Sequence, residues 1–122
     1  MAKDYLDYPV LLDNLFISKH TIPPKYIQKN TNLLEFALSL KPEDLGWYYS
    51  NWASNNIGGL PDNYNSAFVA LITSYHPTKS YRTILLFPYA RNEILYNTNH
   101  SDGLQGETIN WSGWFTVNMS KI

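Results

Sequence analysis

A loop in the middle of the chain carries side chains that could bind a sugar. Trp52, Asn55, Asn56 and Tyr64 lie within or beside a stretch rich in Gly, Pro and Asn, which is typical of turns. Aromatic rings stack on the C–H faces of pyranoses, and amide groups hydrogen-bond to sugar hydroxyls. The combination predicts a carbohydrate-binding surface built from loop residues. Packing in the core is the alternative for each ring, because Trp and Tyr are most often largely buried.

A second loop, 99–107, contains glycine and offers Asn99, His100 and Asp102. His100 with Asp102 could be interpreted as a metal pair or as an acid–base pair, yet the sequence indicates no third and fourth ligand. We therefore expect these side chains to bind hydroxyl groups at a loop tip.

Arg82 is a further binding candidate, because a guanidinium recognises acidic sugars or phosphates through two parallel hydrogen bonds. It alternates with Tyr81 and Thr83 in an apolar strand pattern, which predicts a side chain that faces solvent. The alternative is an ordinary strand edge in contact with water.

The sequence contains no pattern that indicates catalysis. A glycosidase needs two carboxyl groups about 5–10 Å apart, and nothing distinguishes Asp62, Glu93, Asp102 and Glu107 from ordinary surface charges. There is no nucleophile elbow, zinc-protease motif or phosphate-binding glycine loop. We therefore predict a protein that is not an enzyme and that uses neither a metal nor a cofactor.

Composition narrows the classes of partner. Charged residues make up only 16% of the 122, and the net charge is -1, so the basic stripe that nucleic acid requires is missing. The absence of cysteine excludes disulfides and thiolate metal sites. No apolar run is long enough to insert into a membrane, and the N-terminus lacks a signal-peptide cleavage site. We expect synthesis in the cytoplasm and uncharged polar partners, such as sugars or further copies of the chain.

The first part of the chain is predicted to contain an extended arm and one helix. Prolines interrupt residues 1–30, whose apolar cluster includes Leu12 and Phe16 and is expected to dock on a partner. Residues 31–41 are predicted to be helical, with Thr31 as the N-cap and an apolar stripe behind it.

From residue 46 to 118, short strands alternate with turns, which predicts an antiparallel sheet. The predicted strands are 47–52, 67–75, 81–90, 93–98 and 109–117. The strand 67–75 is apolar on both faces, which predicts a central position in the sheet. The fold class is therefore α+β, mainly an antiparallel β-sheet with one short N-terminal helix and an extended N-terminal arm, divided into an arm (1–30) and a domain (31–122).

The last predicted strand raises a question about one residue. In INWSGWFTV, Trp111 falls on the apolar side, where we expect it to join the core, but Trp114 falls on the polar side. We expect a second surface to cover Trp114, most simply a sister chain in an oligomer. The alternative is a platform on which a sugar ring stacks.

The order of motifs from Gly46 to Val117 resembles a known family. The motifs are an aromatic strand GWYY, a loop with Asn-Asn, Gly-Gly and Leu-Pro, the strands AFVALITSY and RTILLFPYA, an Asn followed by ILY, and a terminal W-x-x-W-F. This order resembles the knob domain of R-type pyocin fibres and of many bacteriophage tail fibres. Asn92, Tyr96, Trp111 and Trp114 match positions of that family, but Asn97 stands where the family usually has Arg.

The resemblance implies a virion structural protein of a phage tail. Fibres of this kind are usually homotrimers, are joined to other tail or baseplate proteins, and meet host cell-surface glycans at their tips. Some internal knobs are purely structural. The predicted localisation is then the virion tail, after synthesis in the host cytoplasm.

Together these observations predict a non-enzymatic knob of a phage tail fibre or baseplate that attaches to host carbohydrate. A purely structural trimerising joint and a small cell-wall glycan hydrolase remain as alternatives. The candidate ligand-binding residues are Trp52, Asn55, Asn56, Tyr64, Arg82, Asn99, His100 and Asp102. The candidate interface residues are Leu12, Phe16 and Trp114.

Overall fold

A computed structural model describes residues 23–51, 56–64, 66–76, 78–89, 91–101, 108–118 and 121. The elements in chain order are β1 Lys25–Tyr26, α1 Leu33–Ser39, a 3-10 turn Pro42–Asp44, β2 Gly46–Ser50, β3 Phe68–Thr73, β4 Arg82–Pro88, β5 Glu93–Asn99 and β6 Phe115–Asn118. Within this part of the chain, no helix is both long and apolar enough to cross a lipid bilayer.

The strands form one sheet whose spatial order is the chain order, β1 to β6. Strand β1 runs parallel to β2, and each later neighbouring pair is antiparallel. Strand β3 lies between β2 and β4, which confirms the central position predicted from its two apolar faces. A mainly antiparallel sheet with one helix is thus confirmed, and the short parallel β1 makes the sheet mixed.

Alternation along the strands gives the sheet two different faces. The core face carries the buried residues Tyr48, Phe68, Ala70, Ile72, Ile84, Leu86 and Leu95. The open face carries Tyr26, Trp47, Tyr49, Val69, Leu71, Thr73, Thr83, Leu85, Phe87, Ile94, Tyr96, Thr98, Phe115 and Val117. Each residue of the open face is at least partly exposed.

Helix α1 packs on the core face through residues one turn apart. Leu33 and Ala37 are fully buried, and the ring of Phe36 meets that of Tyr48 edge-on at 5.0 Å. Leu40 has extended backbone angles and ends the helix before the Lys41–Pro42 bond. The helix is shorter than the predicted 31–41.

The N-cap of α1 is Asn32, whereas the sequence predicts Thr31. The Asn32 Oδ1 atom accepts hydrogen bonds from the backbone N–H groups of Leu34 at 3.0 Å and Glu35 at 3.1 Å. Thr31 is engaged otherwise, because its carbonyl accepts from the Gly58 N–H at 2.8 Å. Hydrogen bonding beside the cap therefore joins the start of the helix to the loop that follows β2.

Gly59 has a structural reason to be glycine. Its φ of +79° lies in the left-handed region, and a Cβ there would come within 2.8 Å of Asn32 Oδ1. A side chain at this position would displace the atom that caps α1.

The predicted strand 109–117 is interrupted. Trp111 forms a single bridge with Asn99, and regular pairing with β5 resumes only at Phe115. Between them Gly113 has a φ of 92°, and its N–H donates to the Asn97 Oδ1 at 3.1 Å. This irregularity changes the alternation, so Phe115 lies on the open face and is 50% exposed.

Trp114 is covered in part by its own chain. Its Nε1 donates to the Gly59 carbonyl at 2.8 Å, and its ring packs against the core cluster. The loop beside α1 therefore covers part of this ring, which stays partly exposed, and cover of the rest by a sister chain stays a prediction. Trp111 also packs against the core, as predicted.

The sheet extends into the segment predicted as an arm. Tyr26 pairs with Tyr49, and Ile27 is fully buried and donates to the Tyr49 carbonyl at 2.9 Å. The end of the predicted arm 1–30 therefore belongs to the domain. Residues 1–22, with Leu12 and Phe16, lie outside the described residues.

Replacing the cap residue should weaken the fold measurably. Asn32→Ala removes the acceptor for two helix N–H groups, and we expect the free energy of unfolding to fall by about 1 kcal/mol. Asn32→Asp keeps an acceptor of the same geometry and should change stability by only a few tenths of a kcal/mol. Urea denaturation measures both. An equal loss in the two variants would contradict a capping role.

Candidate binding site

A pocket of about 350 Å³ lies at the end of the sheet where the β3–β4 hairpin meets the end of β5. Its lining combines two aromatic rings with hydroxyl, amide and imidazole groups: Ser74, Tyr75, Tyr81, Arg82, Thr83, Thr98, Asn99 and His100. We call it the hairpin pocket. Three of the residues predicted from the sequence, Arg82, Asn99 and His100, meet here.

Two tyrosine rings form one wall of the hairpin pocket. Tyr75 and Tyr81 lie 5.1 Å apart between ring centroids, with 31° between their planes. Tyr75 is 84% exposed, so most of its ring is available to a ligand. Aromatic rings held side by side in this way offer an apolar surface for the C–H face of a sugar.

Local hydrogen bonds hold the hairpin that carries these rings. The His76 N–H donates to the Ser74 Oγ at 3.1 Å, and the Lys79 N–H donates to the His76 carbonyl at 3.0 Å. The Thr78 Oγ1 lies 3.2 Å from the His76 Nδ1. The sequence SYHPTKSY folds as a turn because its short polar side chains can bond to nearby backbone and side-chain groups.

The opposite wall of the hairpin pocket is polar. The Thr98 Oγ1 and His100 Nε2 atoms lie 2.7 Å apart, within hydrogen-bond distance. The His100 side chain is exposed. A hydroxyl beside an imidazole offers both donors and acceptors, which is the chemistry that recognises sugar hydroxyls.

Arg82 lines the hairpin pocket but is buried, so the prediction that its side chain faces solvent is wrong. The residue is 4% exposed. Its Nε donates to the Ala37 carbonyl at 2.9 Å and its Nη2 to the Leu40 carbonyl at 2.8 Å. Its Nη1 donates to the carbonyls of Lys79 at 2.6 Å and Tyr81 at 2.7 Å. Backbone carbonyls thus accept from each guanidinium nitrogen and from four of its five N–H groups, which leaves little of Arg82 for a ligand.

The reason for this burial lies in the helix. The last carbonyls of a helix have no partner within it and need an external donor. Arg82 shares the core face with Ile84 and lies close enough to α1 to supply that donor. Burial also lowers the pKa of Arg82, because desolvation disfavours the charged form.

Asn99 is likewise structural. It is 3% exposed, and its Nδ2 donates to the carbonyls of Ser80 at 2.6 Å and Ser101 at 2.8 Å. Its Oδ1 accepts from the N–H groups of Ser101 at 3.2 Å and Asn110 at 3.1 Å. The predicted role as a ligand donor is therefore not supported, and Asn99 instead joins the hairpin to the C-terminal segment.

Asn56 and Tyr64 lie at the opposite end of the sheet, beside a smaller pocket of about 140 Å³. The Asn56 Nδ2 donates to the Asn30 Oδ1 at 3.0 Å. The Tyr64 ring packs on Phe68 at 6.0 Å, and Arg91 lies over its face at 5.7 Å. The predicted ligand residues therefore do not form one site. Trp52, Asn55 and Asp102 lie outside the described residues.

Three lining residues, Tyr75, Tyr81 and Thr98, are not among the binding residues predicted from the sequence. A signal was present, since SYHPTKSY places two tyrosines at the base of a predicted turn, where side chains are usually exposed. Their proximity depends on the pairing of β3 with β4, which fixes both ends of the hairpin.

The described lining of the hairpin pocket contains no carboxylate. Among the described residues, no group of three or more His, Asp or Glu is placed to hold a metal ion. The arrangement suits reversible binding, with stacking on one wall and hydrogen bonding on the other.

Comparison with known proteins gives no family for this chain. No protein-family model, no curated protein and no solved structure matches it.

Removing the Arg82 guanidinium should destabilise the fold. Arg82→Met leaves the carbonyls of Ala37 and Leu40 without their donor, and we expect the free energy of unfolding to fall by about 2–4 kcal/mol. Arg91→Met removes the same charge from a partly exposed ion pair with Glu93 and should cost about 1 kcal/mol. Thermal and urea unfolding of both variants test this. Losses of similar size would show that the buried bonds contribute little.

Stability should fall at high pH partly through Tyr64. Burial raises the pKa of Tyr64 to about 12, whereas an unfolded tyrosine ionises near pH 10. Between these values the unfolded chain loses the proton first, so the free energy of unfolding decreases as pH rises. Tyr64→Phe should make that decrease shallower, and Tyr89→Phe, at a ring that is 73% exposed, should not. Identical pH profiles for the two variants would refute the assignment.

Proposed function

We propose that this chain is a non-enzymatic carbohydrate-binding module that attaches its particle to a host surface through the hairpin pocket. The observation that carries the proposal is the exposed Tyr75 ring, held beside Tyr81 and opposite His100. The context of a phage tail fibre or baseplate knob, and assembly as a homotrimer in the virion, rest on the order of sequence motifs described above.

The ligand class follows from the chemistry of the two walls. A pyranose has an apolar C–H face that stacks on an aromatic ring and hydroxyls that bond to polar side chains. Arg82 is engaged by backbone carbonyls, and the other described lining residues carry neither a Lys nor a carboxylate. This set favours a neutral sugar over an acidic one.

Binding at one such pocket is expected to be weak, because the contact area is small and most of it is open to water. Several copies on one particle would raise the overall strength without any new contact. A trimeric fibre with many fibres per particle would supply this multiplication.

The structural-joint alternative receives less support from Trp114. That alternative expects Trp52, Tyr64 and Trp114 all to be buried between protomers, and Trp52 lies outside the described residues. The Trp114 indole instead bonds to Gly59 of the same chain, and Tyr64 packs on Phe68. The hydrolase alternative would require facing carboxylates, which the described lining of the hairpin pocket does not supply.

A matched pair of tyrosine variants tests the proposal. Tyr75→Ala removes an aromatic contact worth about 1 kcal/mol, so the affinity for one site should fall about fivefold. Tyr89→Ala removes a similarly exposed ring at the opposite end of the sheet and should leave binding unchanged.

The measurement is binding to a glycan array and to whole host cells, with circular dichroism to verify that both variants are folded. Loss of cell binding in the Tyr75 variant alone supports the proposal. Equal binding by the two variants would overturn the assignment of the hairpin pocket, and no glycan or cell binding by the unaltered protein would overturn the proposal and favour the structural joint.

A further inference from the structure

The open face of the sheet is unusual for a surface in contact with water. Of its central residues, Val69, Leu71, Leu85 and Phe87 are all apolar, and none is fully buried. At the two sides, Trp47 and Phe115 are 40% and 50% exposed. An antiparallel sheet that faces water on one side normally alternates apolar with polar residues. The middle of this face does not, and the threonines that it carries, Thr73, Thr83 and Thr98, lie together at the end beside the hairpin pocket.

Ring contacts continue across the open face. Trp47 packs on Phe87 at 5.8 Å across the sheet, and Tyr96 stacks on Phe115 at 5.5 Å. No charged residue occurs on this face in the paired positions of β2 to β5. A continuous apolar surface of this kind marks a contact site.

The size of the open face limits what can cover it. Six strands about 4.8 Å apart, the longest of them six or seven residues and the outer two shorter, give a face of at most roughly 24 by 20 Å, or about 500 Å². A standard interface between two proteins buries about 800 Å² on each partner. The open face alone is therefore small for a stable pair of copies, but its width suits a single short segment of chain.

A suitable segment precedes the sheet in the sequence. Six of the eight residues in 10–17 are apolar, and only Asp13 and Asn14 are polar. These residues lie outside the described part of the chain. The described chain begins at Pro23, and Pro24 lines a pocket of about 430 Å³ together with Tyr49, Val69 and Phe87 of the open face.

The connection is long enough to reach across the sheet. Ile17 and Pro24 are seven positions apart in the sequence, and an extended chain spans up to about 3.5 Å per position, or roughly 25 Å. That distance equals the estimated width of the sheet. The chain enters at the border of the open face and can place its apolar cluster over any strand.

We propose that residues 10–17 dock on the open face of the same molecule and form the second layer of the domain. The segment would cover Leu71 and Leu85 and shield the surface from water. The driving force is burial of apolar area on both partners. This cover is independent of the hairpin pocket and holds whether or not that pocket binds sugar.

Paramagnetic broadening tests this contact in the full chain. The protein has no cysteine, so Asn14→Cys accepts a single nitroxide label without removing an apolar residue of the segment. The proposed contact brings the label close to Leu71 and Leu85, so their methyl signals should be strongly broadened. Paramagnetic broadening falls steeply with distance from the label. The Leu34 and Leu60 signals, which report on the other side of the core, should be much less affected.

A mixed sample separates the same molecule from a neighbour. Here the spin label is carried by one population and the isotope label by another, so only contacts between molecules cause broadening. Broadening of Leu71 and Leu85 in the doubly labelled chain but not in the mixture supports the proposal. Broadening in the mixture would show that the segment covers another copy, and no broadening in either sample would show that residues 10–17 do not cover the face. Either of these two results overturns the proposal.

Charged substitutions supply the matched control. Leu12→Asp with Phe16→Asp should release the labelled segment and abolish the broadening. Tyr5→Asp with Tyr8→Asp adds the same charge outside 10–17 and should leave it intact. Equal effects from the two double variants would contradict a specific contact by the apolar cluster.

Discussion

The buried guanidinium of Arg82 is the interaction on which the described architecture depends. It donates to the Ala37 and Leu40 carbonyls of the helix end and to the Lys79 and Tyr81 carbonyls of the hairpin. Hydrogen bonds of a charged donor are stronger than neutral ones, and a buried one left without partners is costly. The helix and the hairpin must therefore keep one relative position. The two tyrosines of the hairpin pocket extend from that fixed base.

Asparagine side chains hold the remaining irregular segments in a similar way. Asn32 caps the helix, Asn97 holds the backbone at Gly113, and Asn99 joins the hairpin to the C-terminal segment. Among the described residues, every buried side-chain nitrogen and oxygen has a hydrogen-bond partner. The low charge of the chain is consistent with this, since amides satisfy buried backbone groups without the desolvation cost of an ion pair.

The sequence predicted the sheet well because apolar alternation and turn residues are local signals. It failed where a distant contact decides the outcome. The strand pattern predicts a solvent-facing Arg82 because it carries no signal of the helix carbonyls that the side chain binds. The last strand is predicted too long because the hydrogen bond from the Gly113 N–H to the Asn97 Oδ1 joins residues that are far apart in the sequence. The hairpin pocket was found only in part, since His100 was predicted but Tyr75 and Tyr81 become neighbours only through the pairing of β3 with β4.

The proposed function requires that a sugar binds between the Tyr75–Tyr81 pair and His100. A nuclear magnetic resonance titration of the unaltered protein with purified host cell-wall glycan tests it most directly, with the aromatic signals of all tyrosines and histidines resolved. We predict progressive, saturable shifts of Tyr75, Tyr81 and His100, with Tyr64 and Tyr89 unchanged. Shifts confined to Tyr64 and Tyr89, or no shift at glycan concentrations that saturate whole-cell attachment, would contradict the account.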